Sequence, residues 1–293
     1  RVKPAAFAYH APGSVDEALA TLAELGHDGK VLAGGQSLIP LLNMRLAAPP
    51  ALVDIERLDE LDVIEVTAAS VRVGARVRHA RLHRDAEVAR AILLLRQALA
   101  WVAHPVIRNR GTSLGSIVHA DPAAELPAVL ALLGGSVELA STAGTRTVSA
   151  ADFLVGPLES DLRPGELAIA ATFRRPAPGT GSAFVELSRR HGDYALAGVG
   201  VTVHLDADRH VTDARATFIG VTDVPAVIDL TSTLAGQAGD ALDLDAARQV
   251  ADPTLAPDAD IHATAEYRRH LAGVLLGRGL EAAAAHAAEG SAA

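Results

Sequence analysis

The sequence contains no cysteine. That excludes disulfides, thiol catalysis and Cys-ligated zinc. It also excludes an iron–sulfur cluster held by this chain, because such clusters need thiolate ligands. Any redox chemistry must then be carried by a bound organic cofactor. Positive charge is scarce too: 26 Lys and Arg stand against 35 Asp and Glu, a net charge of −9, and Lys3 and Lys30 are the only lysines. This argues against nucleic acid or an anionic membrane as the main partner, since both favour a basic surface. It leaves open a small anion bound through backbone N–H groups. Long apolar runs are missing as well. The stretch from Val31 to Met44 is uncharged but falls short of the ~18–20 residues that a membrane span needs, and it contains Gly34, Gly35, Gln36 and Pro40. No leader peptide is legible at Arg1-Val2-Lys3-Pro4, so the expected location is cytoplasmic.

What is present is apolar side chain. It makes up 49 % of 293 residues, enough for a sizeable core and long enough for two domains. The spacing predicts a first helix from Ser14, with Glu17 completing a capping box and Val15, Ala18, Leu19, Leu22 and Leu25 on one face. A short strand, Lys30 to Ala33, ends at Gly34-Gly35. Ser37 reads as the N-cap of a helix to about Leu46, with Pro40 in its first turn. Further strands are expected near 52–55, 63–66 and 71–77, and a single helix from about Asp85 to Val102. Asp121 reads as the cap of a helix to about Leu133, with Pro122 at its first position. Strands follow near 137–140, 146–148 and 167–173. Pro176 to Gly181 reads as a linker. A strand at 184–187, a hairpin of 198–205 with 211–220, and helices at 243–251 and 263–287 close the chain. The expected domains are 1–176 and 177–287.

Two loops could carry chemistry. Leu32-Ala33-Gly34-Gly35-Gln36-Ser37-Leu38 ends a strand in two glycines and opens a helix, so backbone N–H groups and the helix dipole can meet a phosphate. It fits neither a Walker A loop nor a Rossmann fingerprint. By itself it reads equally as a tight strand-to-helix turn. Arg110-Gly111-Thr112-Ser113-Leu114-Gly115-Ser116, followed by His119-Ala120-Asp121-Pro122, repeats the combination of small residues, hydroxyls and a helix start. Two such loops suit a ligand with two linked phosphates.

At this point a family resemblance appears. Val31-Leu32-Ala33-Gly34-Gly35-Gln36-Ser37-Leu38-Ile39-Pro40 resembles the first FAD-binding signature of the medium subunit of molybdenum hydroxylases of the carbon monoxide dehydrogenase and xanthine dehydrogenase type. His104-Pro105-Val106-Ile107-Arg108-Asn109-Arg110-Gly111-Thr112 leads into the second signature, and His119-Ala120-Asp121-Pro122-Ala123-Ala124-Glu125-Leu126-Pro127 continues it. Ser188-Arg189-Arg190-His191-Gly192-Asp193-Tyr194-Ala195 and Ile261-His262-Ala263-Thr264-Ala265-Glu266-Tyr267 are similar to its second domain. The resemblance runs from Lys3 to about Leu280. It implies an α+β fold: a two-subdomain FAD-binding domain of the vanillyl-alcohol-oxidase-like (PCMH) type, then a smaller α/β domain with an antiparallel sheet.

It also implies residue roles. Lys30, Val31, Leu32, Ala33, Gly34, Gly35, Gln36, Ser37 and Leu38 would line one side of the FAD pyrophosphate. Thr112, Gly115 and Ser116 would line the other, with His119, Ala120 and Asp121 close by. Ala103 would pack near the cofactor, Glu125 would make a polar contact, and Leu167 would offer backbone. Tyr194 would lie against the isoalloxazine. One departure stands out. Thr112-Ser113-Leu114-Gly115 occupies the place of the usual Thr-Ile-Gly-Gly, and a glycine needed for positive φ or close approach would make Leu114 costly.

The family role implied is electron transfer. FAD accepts electrons from the [2Fe–2S] clusters of a small subunit, while a large molybdenum-pterin subunit oxidises the substrate, and an external acceptor takes the electrons on. No catalytic acid or base is then expected here. No metal site is expected either: among the 12 histidines, no His-x-x-x-His helix pair with a carboxylate reads as a metal site. His79, His83 and His104 read as surface or local hydrogen-bonding groups, Trp101 as core or interface, Tyr267 as core packing, and Arg189-Arg190 as a solvated pair. The alternatives are a stand-alone FAD-dependent oxidoreductase on the same fold and a non-catalytic assembly module.

Overall fold

The computed structural model describes residues 2–290. The chain opens with a three-stranded parallel sheet built from β1 (Ala8–His10), β2 (Gly29–Leu32) and β3 (Ala51–Asp54), with β3 in the centre. Ala51, Leu52 and Val53 are all buried, the continuous apolar pattern of a strand covered on both faces. Helix α1 (Val15–Leu25) connects β1 to β2, and α2 (Leu38–Met44) connects β2 to β3. The Ser14 hydroxyl accepts from Glu17 N at 3.2 Å, as the capping box predicts, while the Glu17 carboxylate reaches back to Gly13 N at 2.7 Å. Ser37 does not cap α2: its backbone is already helical and its side chain makes no capping bond.

The second layer is a five-stranded antiparallel sheet with β10 (Leu167–Arg174) at its centre. It is flanked on one side by β5 (Ser70–Gly74) and β4 (Ile64–Val66), and on the other by β6 (Ser136–Ser141) and β7 (Gly144–Ser149). Between β5 and β6 come α3 (His79–Arg84), α4 (Ala86–Ala91), α5 (Leu93–Trp101), α6 (Pro105–Arg108), α7 (Ser113–His119) and α8 (Glu125–Leu132). The single helix expected from Asp85 to Val102 is therefore two. Asp85 caps α4 through the N–H groups of Glu87 and Val88, and fully buried Ile92 is extended (φ −144°, ψ 88°), which breaks the ladder. Asp121 caps a turn rather than a helix, accepting from Ala123 N at 2.8 Å, and α8 begins only at Glu125. Short elements α9 (Ala150–Phe153), β8 (Leu154–Gly156) and β9 (Glu159–Ser160) precede β10.

The third sheet is an antiparallel meander of β11 (Thr180–Ser188), β12 (Ala195–Leu205), β13 (Val211–Ile219) and β14 (Val227–Asp229). Helices α10 (Thr231–Leu234), α11 (Leu244–Ala251) and α12 (Ala265–Gly290) follow. Helix α12 lies across β11 and β12. Gly279 permits this, since a Cβ there would sit 2.8 Å from Val201 Cγ2, and a Cβ on Gly181 would run into the α12 backbone at Ala283 and Ala287. Thr180 and Gly181 thus belong to β11 and not to the expected linker, and Gly181 is there for packing. Tyr267, read from sequence as core, is 46 % exposed on α12.

The other face of the meander turns to the first domain. Helix α8 packs on α5 and against β12 and β13. It is apolar nearly all round, with Leu126, Ala128, Val129, Leu130 and Leu132 buried, because it is covered from both sides. The domains are pinned by polar bonds. Trp101 Nε1 donates to Phe184 O at 3.2 Å, Gln97 Nε2 to Ser182 O at 2.9 Å, and Gly220 N to Pro122 O at 2.9 Å. Trp101 is thus an interface residue, as expected. No described helix is long and apolar enough to cross a membrane.

Candidate cofactor site

The two loops read from sequence are in direct contact. A Cβ on Gly34 would lie 2.5 Å from Arg110 O, 2.7 Å from Gly111 Cα and 2.9 Å from Thr112 N, so glycine is what lets one loop rest on the other. Gly35 turns the chain with φ +71°, the left-handed conformation that favours glycine. Residues 31–38 are all half-buried, forming a wall and not a core. Among the described residues, the N–H groups of Gly35, Gln36, Ser37 and Leu38 have no acceptor. Free N–H groups at the start of a helix suit an anion.

The second loop is anchored from below. Thr112 bridges Arg78 in an isolated antiparallel pair, Ser113 N donates to Val77 O, and His79 N donates to Gly111 O. The Arg78 guanidinium joins the loop to the parallel sheet, donating to Arg110 O and to the Glu56 carboxylate. Thr112 is the N-cap of α7: its Oγ1 accepts from Gly115 N at 3.2 Å. A Cβ on Gly115 would come within 2.6 Å of that oxygen, so this glycine preserves the cap. His79 is buried, its Nδ1 lies 3.3 Å from Ser113 Oγ, and burial pushes its pKa down to about 4, helped by the Arg108 charge. It supports the loop as a neutral hydrogen-bonding ring.

Leu114 is not a defect in this loop. It sits in the first turn of α7 without positive φ and is 2 % exposed in the main core. The expected cost does not arise, because the position needs an apolar helical residue.

Helix α7 carries the site onward. His119 lies at its end with a lowered pKa, caused first by burial, with Asp121 opposing and the Lys30 charge from β2 contributing. Those mutual fields bring Lys30, His119 and Asp121 into one neighbourhood. Ala120 closes α7 in the left-handed conformation (φ 52°). Ala103 is also left-handed (φ 40°), and Arg108 Nη1 holds it by donating to Val102 O at 2.7 Å and Ala103 O at 2.9 Å. Such backbone strain persists only where the surroundings enforce it. The hairpin turn between β11 and β12 docks here: a Cβ on Gly192 would strike the His104 ring.

Tyr194 ends that hairpin and is 71 % exposed. Its hydroxyl pKa is raised by desolvation, then by the charges of Asp121 and Glu125. Glu125, in the first turn of α8, is pushed up to about 8 by burial, then by Glu186 and, more weakly, Asp121. Of the expected residues, Asp121 and Tyr194 also edge a cavity of about 790 Å³ at the domain junction, whose far wall includes Arg189, His262 and Arg268. Arg189 is tied to His262 there (Nη1···Nδ1 2.7 Å), not simply solvated as expected. Leu167 opens β10 with its side chain in the core and joins the site only through α7, which packs on that strand.

The arrangement is an elongated surface. It begins at the two helix-start loops, follows α7 past His119, Ala120 and Asp121, and reaches Glu125 and Tyr194 at the domain junction. Sequence reading missed Arg78, Arg108 and Glu186. Among the described residues no cluster is placed to hold a metal ion.

Residues 5–173 match the FAD binding domain in molybdopterin dehydrogenase, and residues 182–283 match the CO dehydrogenase flavoprotein C-terminal domain. The chain is 39 % identical over 285 residues to the 6-hydroxypseudooxynicotine dehydrogenase complex subunit alpha of Paenarthrobacter nicotinovorans, covering 95 % of each chain. It is 38 % identical over 290 residues to the carbon monoxide dehydrogenase medium chain of Afipia carboxidovorans, covering 97 % of this chain and 99 % of that one. Two solved structures superpose closely. Reconstituted CO dehydrogenase from Oligotropha carboxidovorans gives a TM-score of 0.92 at 35 % identity, over 97 % of this chain and 99 % of that one. Quinoline 2-oxidoreductase from Pseudomonas putida 86 gives 0.90 at 37 % identity over the same shares. The unengaged N–H groups of the first loop, set against the Thr112-capped second loop, fit the pyrophosphate that FAD requires. The chain therefore belongs to the FAD-binding medium subunits of the molybdenum hydroxylase family, and its cofactor is FAD.

Proposed function

We propose that this chain is the electron-transfer subunit of a three-subunit molybdenum hydroxylase, working in the cytoplasm. A small subunit with two [2Fe–2S] clusters feeds it electrons, and a large molybdenum-pterin subunit oxidises the substrate. Bound FAD would supply the redox chemistry that links the clusters to an external acceptor. The chain's own residues bind and orient it. The N–H groups of 35–38, which have no acceptor within the described residues, would face one side of the pyrophosphate, and the α7 start, Thr112 to Ser116, would face the other. Lys30 adds positive charge to a phosphate end otherwise served by neutral donors. Tyr194 would lie against the isoalloxazine from the second domain, and Glu125 would offer the cofactor a polar contact.

The observation that carries this reading is the contact of the two loops through Gly34, which makes one phosphate cradle out of two helix starts. The lack of cysteine agrees with it, because the clusters must then sit in another chain. The test is to co-purify the chain with its two partner subunits and reduce the complex with substrate. Bleaching of the flavin bands after those of the clusters supports the reading. Flavin that stays oxidised while the clusters are reduced, with the acceptor reduced all the same, rejects it.

A further inference from the structure

The flavin end of the cleft has two open borders. One is the cavity at the domain junction, whose wall carries the carboxylates of Asp193, Asp223 and Asp258. The other lies across the contact of His104 with Gly192, on the outer face of α3, α5 and α6. It has the opposite charge.

Helix α3 packs on α5 and α6. Its last turn brings His83 and Arg84, α5 brings Arg96, and α6 brings Arg108. Burial and then the charges of Arg108, Arg96 and Arg84 lower the pKa of His83, and no carboxylate among the described residues opposes them. The four side chains therefore share one neighbourhood. Arg84 and Arg96 are exposed, and among the described residues neither forms an ion pair or a hydrogen bond. The groups beside them are engaged elsewhere: Arg81 pairs with Asp62 at 2.5 Å, and Asp85 caps α4. In a chain of net charge −9, such a cluster of unpaired cations is a local reversal of the field.

Apolar side chains stand exposed beside these cations. Helix α5 turns Leu94, Leu95, Ala98 and Leu99 inward, which leaves Leu93, Arg96 and Ala100 on its outward side at helical spacing. Leu93 is 42 % exposed. Arg108 Nη1 reaches Ala100 O at 3.4 Å and so joins this side to α6, where Val106 is 74 % exposed. Arginine interleaved with exposed apolar side chains has the composition of a protein interface.

Charge and place identify the partner. Electron transfer needs the donor close to the flavin, and this face ends at Ala103 and His104, against the hairpin that carries Tyr194. A [2Fe–2S] cluster held by thiolates brings negative charge with it. The carboxylates on the cavity border repel such a donor, and the basic border attracts it. We propose that the outer face of α3, α5 and α6 is the docking surface for the iron–sulfur subunit, with Arg84 and Arg96 steering its approach and Leu93 and Val106 making the apolar contact. This rests on the reading of the chain as an electron-transfer subunit with the flavin at Tyr194.

The test is the association of the FAD-loaded full chain with the two-cluster small subunit, followed as binding kinetics at about 0.01 M and about 0.15 M salt, where charges act over roughly 30 Å and roughly 8 Å. Arg84→Glu and Arg96→Glu together lower the association rate about tenfold or more at low salt, and the gap narrows at the higher salt. Val106→Asp speeds dissociation. Arg278→Glu, an exposed charge reversed on α12, stays within about twofold of wild type. Flavin content stays that of wild type throughout. A second readout needs no variant: amide exchange of the wild-type chain slows in 93–108 when the small subunit binds. A double variant that associates like wild type, an Arg278→Glu chain that is slowed as much, or protection that leaves 93–108 unchanged overturns this inference alone. A wild-type chain that binds no [2Fe–2S] subunit overturns it together with the proposed function.

Discussion

Replacing Gly34 with alanine tests the loop-on-loop contact directly. The new Cβ would sit 2.5 Å from Arg110 O, 2.7 Å from Gly111 Cα and 2.9 Å from Thr112 N. Ordinary carbon contacts lie at about 3.5–4.0 Å, so the loops must part by roughly 1 Å. No side chain can swing aside, because all three neighbours are backbone. Nor is that backbone free: Arg78 holds Arg110 O, and Thr112 is paired to Arg78. Overpacking of this kind costs about 1–3 kcal/mol. FAD needs both loops at their original spacing, so the cost reappears as weaker binding, roughly fivefold to a hundredfold at about 1.4 kcal/mol per decade. Gly35→Ala is the control. Its Cβ meets only side-chain carbons, Ile39 Cγ1 at 3.1 Å and Leu32 Cδ1 at 3.3 Å, and its main penalty is the left-handed backbone, about 1–2 kcal/mol. That penalty falls on stability first. Flavin-fluorescence titration and thermal unfolding of both variants give the answer. A Gly34→Ala chain with wild-type FAD affinity and wild-type Tm refutes the argument that this contact builds the site.

Other consequences can be measured on the same preparation. Leu114→Gly, which restores the family's usual residue, should lower stability by about 3–5 kcal/mol, the cost of an emptied core position, and should not tighten FAD binding; a gain in affinity would contradict the placement of Leu114 in the core. Thr112→Ala removes the α7 cap and should cost about 1 kcal/mol in chemical denaturation, whereas an unchanged midpoint would mean the cap is idle. Arg146 bonds Glu166 and Asp161 and holds both carboxyls below their usual range, so this pairing stabilises the fold above the unfolded pKa of about 4 and is lost as pH falls through the folded values. Arg146→Met should therefore move acid unfolding to higher pH, and an unmoved acid transition would count against it. Glu125 and Glu186 act with the opposite sign. Their raised values make the FAD-free chain lose stability as pH rises from about 4.5 toward about 8, and the double Gln variant should flatten that decline.

Much of the site was legible because its signals are local. A strand ending in Gly34-Gly35 and a zero cysteine count need no tertiary information, whereas the helix start at Thr112 was not legible and the sequence placed it at Asp121. The physical reasons for the glycines were not legible. Gly34 and Gly115 serve contacts within the protein, to residues far along the chain or to a side-chain cap, and only the fold shows which. Leu114 reads as an intrusion beside the phosphate loop until α7 is seen to begin at Ser113 and turn that side chain inward. Ser37 and Asp121 have capping chemistry, but the chain is already helical at one and still turning at the other. The break at Ile92 was hidden because a buried extended residue between two helices has the same composition as a helix core. Glu186 did leave a trace: an acid alternating with Phe184 on an apolar strand. Its burial appears only when β11 is packed against the first domain through α5.

The most direct test of the central claim is the visible absorption spectrum of the purified chain before and after adding FAD, followed by heat release and identification of the bound flavin. The account predicts flavin bands that persist after removal of free cofactor, with FAD released in one-to-one ratio to the chain. A chain that retains no FAD at micromolar flavin, although folded by circular dichroism, would contradict it.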